Sequence, residues 1–72
     1  MFEILVPCRE DPSRWFAVDA VSLGGKLYRI TAVEEDAPPL RFGEGDRVEC
    51  EQQTDGDGHV RILARRVAAP IW

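Results

Sequence analysis

Long apolar runs, close cysteine pairs and lysine are all scarce in this 72-residue chain. The most apolar stretch near the start, residues 1–6, is interrupted by Glu3 and has no basic segment before it. It reads as neither a signal peptide nor a membrane span, which points to a cytoplasmic protein. Cys8 and Cys50 are the only cysteines and lie far apart. In a reducing compartment two such thiols stay reduced, which excludes a disulfide staple. Positive charge is also short, with nine bases against thirteen carboxylates and a net charge of −4. That counts against general binding to a phosphate backbone. Of the bases only Lys26 is lysine. Arginine suits stacked or bidentate recognition, although a GC-rich genome gives the same bias. No phosphate loop, nucleophile elbow or dinucleotide fingerprint occurs. The sequence therefore reads as a non-enzyme without a cofactor.

What remains is enough for one small core. Apolar residues make up 44% of the chain and charged residues 31%, which suits an ordered globular domain over residues 1–72. One core of this size rarely supplies more than about 3–5 kcal/mol, so a partner subunit is a natural source of further stability.

Phe2-Glu3-Ile4-Leu5-Val6 is short and rich in strand formers, and Pro7 ends it. Residues 12–23 carry two readings. Asp11-Pro12-Ser13 has the chemistry of a helix start, and Gly24 that of a helix end. Yet Trp15, Phe16, Val18, Val21 and Leu23 fall on every side of a helical wheel. The alternative is a strand through residues 17–23, turned by Gly24-Gly25 into residues 26–33. That reading has a defect, because a two-residue Gly-Gly loop sets Asp19 opposite Ile30 and mixes the two faces. In the next segment Tyr28, Ile30 and Ala32 share one strand face, and Arg29 and Thr31 the other. Glu34-Glu35-Asp36 and Pro38-Pro39 end it, residues 40–42 suit a short strand, and Gly43-Glu44-Gly45-Asp46 is turn chemistry.

The hairpin after Asp46 carries the clearest pattern. Val48, Cys50 and Gln52 alternate with Arg47, Glu49 and Glu51, and Val60, Ile62 and Ala64 alternate with Arg61, Leu63 and Arg65. Core residues must face core residues, and the tightest such register closes around residues 54–58. It predicts Cys50 opposite Ile62, Val48 opposite Ala64, and Glu51 opposite Arg61, the charge pair adding about 0.2–1 kcal/mol. Arg65-Arg66-Val67 breaks the alternation, which predicts a bulge in the last strand. Together these features predict a mainly β fold: a small five-stranded barrel of the SH3-like kind, with at most one short helix around residues 12–23.

Chemistry-bearing clusters mostly have plain structural explanations. Asp55-Gly56-Asp57-Gly58 resembles part of a calcium loop, but the twelfth position holds Arg66 where that loop needs glutamate. Cys8, Cys50 and His59 lack the close spacing and fourth ligand of a zinc site, so no metal is expected. Glu44, Asp46, Glu49 and Glu51 fall on turns and a wet strand face rather than in a site that shifts carboxylate pKa values.

The aromatic residues are the better functional candidates. Trp15 and Tyr28 have Arg14 and Arg29 beside them, the composition by which small barrels stack single strands or hold an extended peptide. Filling the core is the competing role for such rings. The C-terminal run through Val67, Ile71 and Trp72 is unusually apolar, which suits either folding back or contact with a second subunit. The leading expectation is a protein–protein interaction or assembly module that self-associates. A single-stranded RNA or DNA binder using Arg14, Trp15, Tyr28 and Arg29 is the alternative.

Overall fold

A computed structural model describes residues 1–68 and, among them, holds five strands and no helix. These are β1 (Phe2–Pro7), β2 (Trp15–Gly24), β3 (Leu27–Ala32), β4 (Arg47–Thr54) and β5 (Val60–Val67). Each pairs antiparallel with the next, and β1 meets β5 in parallel at Leu5 and Leu63, which closes the sheet into a ring. The mainly β reading thus holds. Ile71 and Trp72 lie outside the described residues.

Period-two alternation decides which side chains fill the ring. Ile4, Val6, Val18, Ala20, Ile30, Val48 and Ala64 point inward and are almost wholly buried. Burying each of the valines and isoleucines is worth about 1.5–3 kcal/mol relative to leaving it exposed. Leu40 and Phe42 form no strand. An isolated bridge from Leu40 to Cys8 lays this segment against the end of β1, and both side chains are buried against the core.

Residues 15–24 form a strand, and the helix alternative for residues 12–23 is excluded by the hydrogen bonds ahead of it. The Asp11 carboxylate accepts from the Ser13 amide at 3.1 Å and the Ser13 hydroxyl at 2.6 Å. The Arg14 amide donates back to the Asp11 carbonyl at 3.0 Å, so the cap-like residues are spent on a tight turn. Inward Phe16, Val18 and Ala20 then alternate with outward Trp15, Ala17 and Asp19.

Two bulges remove the defect of the Gly-Gly loop. Ser22 pairs with Tyr28 and Gly24 with Leu27, which inserts Leu23 into β2; Thr31 is the extra residue in β3. Ala20 therefore faces Ile30, and Asp19 faces Ala32. The turn uses Gly24 at φ 112° and Gly25 at φ 57°, conformations a side chain resists.

The predicted β4–β5 register is wrong by two residues. Cys50 faces Ala64, Gln52 faces Ile62, and Glu51 faces Leu63. Parity is preserved, so the inward set is right, but the Glu51–Arg61 pair does not form. Asp55 explains the shift. Its carboxylate accepts from the Asp57 and His59 amides at 2.9 and 3.0 Å, and its own amide donates to the His59 carbonyl. These bonds centre the turn one residue later than the tightest closure. Glu51 instead pairs with Arg65 at 2.9 Å, and Arg61 with Asp55 at 3.8 Å. Arg65 is the extra residue of a bulge between the Cys50–Ala64 and Glu49–Arg66 pairs, as the broken alternation predicts. The bulge turns Val67 back toward the side of Val48.

Candidate interaction cleft

Trp15 opens β2, lies opposite Pro7 of β1 and faces outward. Arg65 of β5 reaches across β1, placing its guanidinium 5.8 Å from the centre of the indole ring. Glu51 of β4 anchors that guanidinium at 2.9 Å. One exposed ion pair adds little stability, but here it holds a cation over one ring face and so limits the ring's freedom.

The segment between β1 and β2 is held at both sides. The Cys8 amide donates to the Arg14 carbonyl and the Arg9 amide to the Pro39 carbonyl, each at 2.9 Å. Between this segment and the Pro38-Pro39 strap lies a cleft of about 260 Å3, lined by Cys8, Trp15, Phe16, Pro38 and Pro39 with the exposed Glu10, Asp11 and Arg14 completing it. That volume lies just below the range of about 300–1,000 Å3 usual for small-molecule sites, so it suits one or two side chains. The Asp11 carboxyl is held below its ordinary pKa chiefly by the Ser13 hydroxyl, then by the Ser13 amide. It therefore presents a negative charge at neutral pH.

The structure separates the four residues grouped by sequence. Arg14 and Trp15 line the cleft, whereas Tyr28 lies opposite Ser22, seven positions further along β2. At strand spacing that is roughly 23 Å. Tyr28 also points inward, is only 5% exposed, and stacks edge-to-face with Phe2 at 5.5 Å. It fills the core and does not offer a free ring. Arg29 is exposed on the outer face opposite Val21 and Arg47. Val67 is 53% exposed.

Sequence reasoning missed Phe16, Pro38 and Pro39 as one surface. Their signal is present, because a double proline is rigid and apolar, but in the sequence it marks only a strand end. Cys8 and Cys50 are buried and free, and burial pushes the Cys50 thiol up to about 11. His59 is exposed in the β4–β5 turn, so the structure does not unite these three as ligands or as a nucleophile and base. Asp55, Asp57 and His59 have ligand atoms within 4.8 Å of one another, but the Asp55 carboxylate already organises the turn. Glu49 and Glu51 are paired with Arg66 and Arg65, and Asp46 accepts from the Gly43 amide at 2.8 Å. Among the described residues, no helix is long and apolar enough to cross a membrane. Comparison with protein-family models, curated proteins and solved structures gave no match.

Proposed function

We propose that the chain is a non-enzymatic protein interaction module, a small SH3-like barrel whose Trp15 cleft takes an extended segment of a partner protein. The observation that carries this reading is the cleft's construction. An aromatic ring steadied by Arg65 shares the lining of the cleft with two prolines, so most of the apolar surface is ordered before a partner arrives. A surface that is already ordered loses little further entropy on binding. The shape and apolar lining suit a proline or aliphatic side chain on an extended backbone. Glu10 and Asp11 at the margin favour a basic residue beside it. The same carboxylates, with the net charge of −4, disfavour a nucleic-acid strand over the ring.

The test is a titration with short proline-containing peptides flanked by lysine or arginine, beside a mixed-sequence single-stranded oligonucleotide at low salt. A Trp72→Phe background leaves Trp15 as the only indole reporter. Peptide binding that Trp15→Ala weakens at least tenfold, with the circular dichroism of the fold retained, is the expected result. Oligonucleotide binding without peptide binding overturns the reading in favour of a nucleic-acid module.

A further inference from the structure

β4 is longer than the strand beside it. β3 pairs with β4 only from Arg47 to Glu49, after which the Cys50 amide donates to the Lys26 carbonyl at 2.8 Å. The chain then turns away through Gly25 and Gly24 into β2. From Glu51 to Thr54, β4 has β5 on one side and, among the described residues, no strand on the other. Hydrogen-bonding direction alternates along a strand. Cys50 points its amide toward β3, and Asp55 points its amide toward His59 at the start of β5. Gln52 and Thr54 share the direction of Cys50, so their amide and carbonyl groups face the open edge.

Open edges are ordinarily guarded by lysine, proline or a bulge, because unpaired backbone invites another strand. Gln52-Gln53-Thr54 has none of these. Beside it a notch of about 460 Å3 is lined by Gly25, Lys26, Tyr28, Glu51 and Gln52. On the inward side of the same ribbon Val60 is 59% exposed, and Phe2, at the start of neighbouring β1, is 44% exposed.

We infer that this edge is a self-association surface, at which β4 of a second copy adds antiparallel to β4 of the first. This deepens the assembly reading and is independent of what fills the Trp15 cleft. A twofold axis beside Gln53 sets Gln52 opposite Thr54 of the second copy, and the reverse. All four open backbone groups on each edge are then paired. Opposed residues of an antiparallel pair lie on one side of the sheet, so the inward faces of both copies stay aligned. The exposed Val60 side chains then lie on one continuous surface.

Charge selects a second copy of this chain as the occupant. In this register Asp57 of the second copy comes to lie beside Lys26 of the first, while Asp55 falls opposite Glu51, each of these two carboxylates already paired within its own copy, to Arg61 and to Arg65. Lys26 is the chain's only lysine and stands at the margin of the notch. The twofold axis makes the same contact twice, and complementary charge of this kind fixes register.

The experiment is sedimentation and amide hydrogen exchange on the full chain across a concentration series. The mass is expected to rise from the 8.1 kDa of one copy toward twice that value. Exchange at Gln52 and Thr54 should slow at least tenfold with rising concentration, while Gln53, bonded to β5, stays protected throughout. Thr54→Pro removes an edge amide without touching the β5 ladder and should weaken association at least tenfold. Lys26→Glu and Asp57→Lys should each weaken it, and the double exchange should restore it. A monomer at millimolar concentration overturns the inference, as does a dimer whose Gln52 and Thr54 amides exchange at the monomer's rate. Trp15→Ala should leave association unchanged; a dimer lost through that variant alone places the interface at the cleft and also overturns the edge assignment.

Discussion

Val48 and Val60 have the same side chain and both point to the inward face of the β4–β5 hairpin, yet only one is in the core. Val48 has no exposed surface, whereas Val60 is 59% exposed because the hairpin runs past the end of its neighbours. Valine to alanine removes two methyl groups, about 0.8 kcal/mol each by transfer. At Val48 the vacated volume adds a cavity cost, giving a total of about 2–3 kcal/mol. At Val60 less than half of the side chain is withheld from water, so the loss is about 0.6 kcal/mol or less. Urea unfolding at one fixed low micromolar concentration reads both. With a slope near ~1 kcal/mol/M, the midpoint should fall by roughly 2–3 M for Val48→Ala and by roughly 0.5 M for Val60→Ala. The slope itself should not change. Equal midpoint losses for the two variants refute the reasoning, because they require the hairpin tip to be as buried as the ring interior.

Two further outcomes follow from the titrating groups. Burial holds the Cys50 thiol near 11, so at pH 8 a thiol reagent should modify it only when the fold opens. Modification of Cys50 in Cys8→Ser should therefore accelerate in step with the unfolded fraction as urea is added; prompt reaction in the native state contradicts its place in the core. The Asp55 carboxyl is lowered from 3.8, chiefly by the His59 amide; desolvation opposes this as the next largest effect, and the Asp57 amide and then the Arg61 charge add to the lowering. A carboxyl depressed by folding contributes stability in full above its unfolded value and loses it as pH falls through the folded one. The stability gap between wild type and Asp55→Asn should thus shrink on acidification below pH 3.8. A gap that widens on acidification reverses the sign and rules the argument out.

Much of the fold was readable because alternation survives local error. The inward set Val48, Cys50, Ile62 and Ala64 is the same in the predicted register and the observed one, since a slip of two residues preserves parity. The slip arose because hydrophobic pattern does not count turn residues. The Asp55 carboxylate does, by capturing two amides and lengthening the loop. The helix reading of residues 12–23 failed for a related reason. Asp11 and Ser13 are equally good at capping a helix and at closing a turn, and the strand pattern beyond them decided between the two.

The site is less readable because neighbours in sequence need not be neighbours in space. Arg14-Trp15 and Tyr28-Arg29 look like two halves of one aromatic surface, but Trp15 pairs with β1 at one end of β2 and Tyr28 with Ser22 near the other, and Tyr28 points inward where Trp15 and Arg29 point outward. The cleft joins Trp15 to Pro38 and Pro39, more than twenty residues away, through the Arg9–Pro39 hydrogen bond. The open edge of β4 is likewise invisible to local pattern, because it exists only where β3 ends early and, among the described residues, leaves Gln52 and Thr54 with no strand on that side. Both features depend on strand lengths that differ around a closed ring. Trp15 belongs to the β1–β2 side and Gln52 to the β4–β5 ribbon, and an outer-face path runs from Trp15 through Arg65 to Glu51. Glu51 turns its backbone groups to β5 while Gln52 turns its own to the open edge, so that path stops short of the pairing groups and the two surfaces act separately.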